Sequence, residues 1–190
     1  MRIPMLSAWL IAASGRFLLV ALFALAVPGG ALAAEARDPY QYFFASGTDD
    51  LRAELADAKR GGKKALFVMF EQDGCPGCIY MKEHVLNRRN VQSFYRERFI
   101  SFSINIYGAA PFEDFAGRAV TEKTFAQAMG IMGTPTLMFY DLEGREIVRL
   151  TRAIRDPNEF IMLGEFVATG AYRTRQFAEF LRQHMRRKGS

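Results

Sequence analysis

Two cysteines, two histidines and one tryptophan are all that 190 residues contain. That scarcity excludes a good deal. A metal site would need more sulfur or imidazole ligands than the chain can gather. His84 lies six residues past Cys78, well round the helix from the cysteines, and His184 lies near the far end. Both read as ordinary surface or interface residues, so no metal and no cofactor is expected. A stapling disulfide is a poor reading too. Cys75 and Cys78 would close so short a loop that little unfolded-state entropy is removed. No internal repeat, low-complexity stretch or dimerisation segment stands out, and a monomer is expected.

Acidic residues are missing from the first 34 positions, where Arg2, Arg16 and an apolar run from Phe17 to Val27 precede Pro28-Gly29-Gly30. The run is too short to span a bilayer comfortably. With Ala31-Leu32-Ala33 after it, residues 1–33 read as a secretory signal peptide cut after Ala33. No cysteine lies near the cut, which excludes a lipoprotein anchor. A periplasmic location follows as the expectation, with residues 34–190 as one domain around a single core. The formal charge of +5 falls to about +3 without the two signal arginines. Acids and bases alternate along the rest, and Arg186-Arg187-Lys188 is the one cationic run. Nucleic acid is therefore not an expected partner. The tail reads as a solvated helix end, with contact to a membrane surface as the other possibility.

Hydrophobic periodicity predicts a helix over Asp49–Lys59, with Thr48 as N-cap, Leu51, Leu55 and Ala58 on one face, and Gly61-Gly62 as its stop. The unbroken apolar run Ala65–Phe70 predicts a buried central strand. A helix follows over Pro76–Leu86, with Asn90–Arg98 as its continuation or a second short helix, then a strand over Phe99–Ile106 and a helix over Thr121–Met129. Thr136–Tyr140 and Glu146–Leu150 form a hairpin around Asp141-Leu142-Glu143-Gly144. Two helices, Asn158–Ala168 and Thr174–Arg186, close the chain. A strand-helix-strand unit gives a right-handed parallel crossover. With the antiparallel hairpin it predicts an α/β fold: a mixed four-stranded sheet flanked by helices.

All the sulfur chemistry sits in "GCPGCI", Gly74–Ile79, at the junction of strand and helix. Backbone N–H groups and the positive end of the helix dipole favour a thiolate at Cys75. Cys78, one turn deeper on the same face, is placed to form a disulfide with it. Pro76 at the first turn costs no hydrogen bond. Cys75 is therefore the candidate attacker of a client disulfide, and Cys78 the candidate resolver. Pro135 stands at the entrance of the third strand, after Gly133-Thr134. A cis bond there would turn the loop toward the dithiol and let Gly133 and Thr134 pair with an extended client segment. Pro76 and Gly77 complete the expected client-facing set.

Strand, C-x-x-C, helix, strand, helix, then Thr-Pro and a hairpin resembles the thioredoxin superfamily over residues 64–152. "MFEQDGCPGC" (69–78), "GTPTLMFYDLEGREIVRL" (133–150) and the tail around 160–181 are similar to the periplasmic thioredoxin-like proteins of the sulfur-oxidation system, the SoxW type. The resemblance implies a thioredoxin fold with an insertion at Tyr107–Val120 and a C-terminal helical extension over 156–187. It implies a thiol-disulfide oxidoreductase, a thioredoxin-type reductase of protein disulfides, fed from a membrane electron carrier of the DsbD or CcdA kind. Sulfur-oxidation or cytochrome-maturation proteins are the clients it suggests. An oxidase like DsbA, a dithiol copper chaperone and a client-binding module with an inert disulfide are the alternatives. Thioredoxin has Gly-Pro between its cysteines, a tryptophan before the first and a buried aspartate six residues upstream. Here stand Pro76-Gly77, Gly74 and Met69. Glu71, on the same side of the strand as Met69, is either a substitute base for Cys78 or a solvated strand-end acid. Asp73 would oppose thiolate formation if close, which leans toward a reductant. Phe112 and Phe115 of the insertion either line a client groove or pack on the domain's own edge.

Overall fold

The structure, a computed structural model, describes residues 36–46 and 49–188. The expected signal peptide and Thr48 lie outside the described residues.

Strand β1 (Ala65–Glu71) is buried at every position, as its unbroken apolar run requires. It pairs in parallel with β2 (Phe99–Asn105) and antiparallel with β5 (Thr136–Tyr140). β6 (Glu146–Leu150) pairs antiparallel with β5, and the strand order is β2-β1-β5-β6. The mixed four-stranded sheet flanked by helices is thus the one the sequence predicts.

Alternation along β1 sends its side chains to two separate cores. Phe67 and Met69 join both cysteines, Tyr95, Phe139 and Phe160 on one face. Leu66, Val68 and Phe70 join Leu51, Phe125, Met138 and Tyr140 on the other. On the first face lie α1 (Pro39–Tyr42), α3 (Pro76–Met81), α4 (Arg89–Arg98), α6 (Pro157–Ala168) and α7 (Phe177–Lys188). Against the second lie α2 (Leu51–Arg60) and α5 (Glu122–Ala128).

Four details depart from the sequence reading. α2 is capped by Asp50, whose carboxylate accepts the backbone N–H groups of Arg52 and Ala53 at 2.7 and 3.4 Å. The helix expected to run unbroken to Leu86 turns into a π-helical turn over Lys82–Leu86. α7 starts at Phe177 because Thr174 is still tied back to Ala171 by the preceding 3-10 turn. The segment 107–120 holds a small hairpin, β3 (Pro111–Glu113) with β4 (Ala119–Thr121). Phe112 of that hairpin is buried. Its ring and that of Phe115 pack on Phe125, and Phe115 also meets Tyr140. Packing on the domain's own body is therefore what these rings do.

The short helix α1 had no periodic signal. It is held by Asp38, which accepts the N–H of Tyr40, and by Phe43, whose ring sits among Phe67, Tyr95 and Phe160.

Candidate functional site

β1 ends at Glu71, and Gly74 at φ +72° swings the chain into α3. Cys75 is the N-cap of that helix, and its sulfur accepts the backbone N–H of Cys78 at 3.1 Å. The two residues form a disulfide with Cα atoms 5.3 Å apart. Cys75 is 5% exposed and Cys78 1%. The outer sulfur is thus less open than a helix tip in free solvent, though Asp73, Gly74 and Pro76 around it are exposed. Of the pair it is still the one nearer the surface, and its bond from Cys78 is the kind that stabilises a thiolate.

The Thr134–Pro135 peptide is cis. A Cβ added at Gly77 would lie 3.0 Å from Cδ of Pro135 and 3.3 Å from Cβ of Ala153. The structure thus brings Pro135 against Gly77, between the two cysteines, at a distance where a larger side chain would crowd it. Gly133 and Thr134 are half-buried in the same loop. Thr136, buried, fixes it by donating its hydroxyl to the Gly133 carbonyl at 2.7 Å. Met132, three residues before Pro135, is 94% exposed. Ala153 escaped the sequence reading. It follows β6, and nothing in its local pattern tells that this connection packs on the dithiol helix. Two positions on, Arg155 lies 4.7 Å from the ring centre of Tyr80, whose ring in turn meets that of the exposed His84 at a tilt, 4.5 Å between centres.

Glu71 lies on the α3 side of β1, as its spacing from Met69 predicts, and is 6% exposed. It is no solvated strand-end acid. Lys82 donates to its Oε2 at 2.6 Å, Tyr40 to its Oε1 at 2.7 Å, and the Ser103 hydroxyl also bonds Oε1. Lys82 bonds the Tyr40 hydroxyl as well, at 2.9 Å. Burial pushes the carboxyl's proton affinity up, but the donors Lys82, Ser103 and Tyr40 outweigh it and hold Glu71 below the ordinary carboxylate range. Burial pulls Lys82 down, and Glu71 more than restores it. A carboxylate held charged by three donors is a weak proton acceptor, which weighs against the substitute-base role. Lys82 and Tyr40 were both missed, since they stand 11 and 31 residues from Glu71. These groups line one side of a cleft of about 580 Å³, shared with Asp49, Asp73 and Glu122.

Residues 51–168, more than half of the sequence, match the family described as the thioredoxin-like domain. The chain belongs to that family. Among solved structures this thioredoxin-like chain is similar to a thioredoxin-fold protein from Helicobacter pylori. Their identity is 19%, the TM-score 0.59, and the match covers 78% of this chain and 89% of that one. It is also similar to the DsbH oxidoreductase, at 16% identity and a TM-score of 0.50, over 71% of this chain and 90% of that one. The C-terminal domain of DsbD from Neisseria meningitidis matches at 19% identity and a TM-score of 0.46, over 62% and 92%. At such identities the shared property is the fold. No curated protein matches the sequence significantly. Family and C-x-x-C disulfide together make this thioredoxin-like protein a thiol-disulfide oxidoreductase in general terms.

Proposed function

We propose that this protein is a periplasmic reductase of specific protein disulfides, cycling between the Cys75–Cys78 dithiol and disulfide. The observation that carries the reading is the meeting of three parts at one point: Cys75 capping α3, Cys78 beneath it, and Pro135 against Gly77. In the first step the Cys75 thiolate attacks one client sulfur. A Cys75–client bond forms, the client's own S–S bond breaks, and the other client sulfur leaves and takes a proton from solvent. In the second step Cys78 gives up its proton and attacks the Cys75 sulfur. The Cys75–Cys78 bond forms, the mixed disulfide breaks, and the second client sulfur leaves as a thiolate that is protonated in turn. Two electrons pass from the dithiol to the client.

Gly133 and Thr134 offer the backbone along which an extended client segment would lie. Pro76 and Gly77 floor the same groove. Residues 1–33 would direct export, leaving 34–190 as the working domain. Electrons would return from a membrane carrier of the DsbD or CcdA type, and the SoxW-like motifs favour a sulfur-oxidation or cytochrome-maturation client. The alternation of charge and the lack of a dimerisation segment favour a monomer that works away from nucleic acid.

Insulin reduction with dithiothreitol tests the catalytic core of this reading. The native chain should accelerate precipitation and Cys75→Ser should return it to background; equal rates would reject the reading. In cells, Cys78→Ala should accumulate mixed disulfides that mass spectrometry identifies, whereas Cys75→Ala should trap none. Equal trapping by both variants would reverse the attacker and resolver.

A further inference from the structure

Glu71 stands out among the buried side chains on the dithiol face: a charged group with its partners supplied by three other elements. We infer that the Glu71–Lys82 ion pair, closed over by Tyr40, is a charge-balanced unit that sets the reduction potential of the Cys75–Cys78 couple, with Lys82 as a positioning residue. The inference rests on the dithiol cycle proposed above and names what tunes it.

Placement comes first. Glu71 extends the face of β1 whose residues Phe67 and Met69 share a core with both cysteines. Lys82 donates its backbone N–H to the Cys78 carbonyl, so it stands one helical turn beyond the inner cysteine. The π-helical turn opens at Lys82, and insertions of this kind concentrate at functional sites. From there the side chain reaches the end of β1 and closes the pair at 2.6 Å. One charge therefore lies on the strand beneath the dithiol helix and the other on the helix itself.

The pair has further partners. Tyr40 donates its hydroxyl to Glu71 and accepts from Lys82, and its ring centre lies 5.1 Å from the ammonium. Ser103 of β2 donates from below. The other charged groups lining the cleft are Asp49, Asp73 and Glu122, all acidic, which leaves Lys82 as the one cation among the described lining residues. Its loss would thus leave a wholly anionic wall.

Reducing the disulfide to a dithiol with an ionised Cys75 adds negative charge to this region. An ammonium nearby favours that state and a carboxylate opposes it. Paired, they nearly cancel. Separated by mutation, they act with opposite sign, Glu71 from a buried position and Lys82 from a partly exposed one.

The test is a set of reduction potentials measured on the full chain in glutathione buffers at neutral pH, with thiolate absorbance followed against pH. Glu71→Gln leaves the ammonium unopposed. It should favour the dithiol about tenfold, which is about 30 mV more oxidising for a two-electron couple, and lower the Cys75 thiol pKa. Lys82→Met should shift both quantities the other way by a similar factor. The double variant should return close to the native potential, and Lys82→Arg should keep it. Tyr40→Phe removes a neutral bridge and should move the potential less than either single charge change. Shifts of the same sign in the two single variants, or none in either, would overturn the inference. If Glu71→Gln does not fold, Lys82→Met and Lys82→Arg decide alone, by a shift towards reduction in the first that is absent in the second. A native chain that fails to equilibrate with glutathione would instead defeat the dithiol cycle itself.

Discussion

The two faces of the sheet are built from the same strands and differ in what they carry. On the dithiol face the core is aromatic and shared among distant segments. Tyr95 stacks on Phe160 at 4.3 Å with the rings nearly parallel and donates its hydroxyl to the Phe160 carbonyl at 2.8 Å. Phe43, Phe67 and Phe139 surround that stack. Gly164 lets α6 approach so closely that a Cβ there would lie 2.5 Å from Phe94. The opposite face is more aliphatic, and the hairpin of the insertion covers its margin. Rigid rings thus support the end of the molecule where geometry matters to chemistry, while the other face mainly contributes burial.

Substitutions can break this contrast or sharpen it. The largest effect is expected in the cores. Phe160→Ala and Phe125→Ala should each cost about 3–5 kcal/mol in denaturant unfolding. Only Phe160→Ala should also slow insulin reduction under conditions where the variant remains folded. Equal activity losses from both would erase the distinction between the faces. Next comes acid. The charge of Glu71 contributes stability that is present above the ordinary carboxylate value of about 4.3 and is lost as pH falls through the lower folded value. Glu71→Gln should therefore flatten the acid limb of a stability–pH curve, whereas a variant on the opposite face such as Phe125→Leu should leave its shape unchanged. Gly77→Ala should cut reduction several-fold with little loss of stability, since the new methyl must displace Pro135 or Ala153 by only tenths of an ångström. The smallest effect is at the cap of α2: Asp50→Ala should lower the denaturant midpoint slightly, through loss of the cap bonds to Arg52 and Ala53, and leave insulin reduction unchanged.

The same two faces differ in how far the sequence foretells them. β1, β2, β5 and β6 were legible within a residue because apolar runs and alternation are local properties. So were Cys75, Cys78 and their place at a helix start, since spacing alone puts them there. The insertion read only as a departure from a pattern, and its strands of three residues are too short to show a period. The surroundings of Glu71 were illegible for another reason. Tyr40 sits in a single helical turn, Lys82 looks like any helix-surface lysine, and the π-helical turn that aims it has no signature in composition. Ala153 is the same case, a small residue made important by what faces it. Residues that touch the chemistry announce themselves by type; residues that hold them in place are assigned by the fold.

The segment 36–46, which carries α1, has one more effect, on solubility. Strands β2 and β6 are the outer members of the main sheet, where unpaired peptide groups invite sticking to a second copy. At β6 the guard is ionic, with Glu146 and Arg149 clasped to each other. At β2 the guard is the chain itself: Ala45 donates to the Ser101 carbonyl at 2.7 Å, and Glu122 accepts from the Asn105 N–H at 3.1 Å. A version trimmed to begin at α2 would keep the Glu122 contact but bare the margin at Ser101, and the fragment should precipitate or form strand-exchanged clumps even where its remaining core folds correctly.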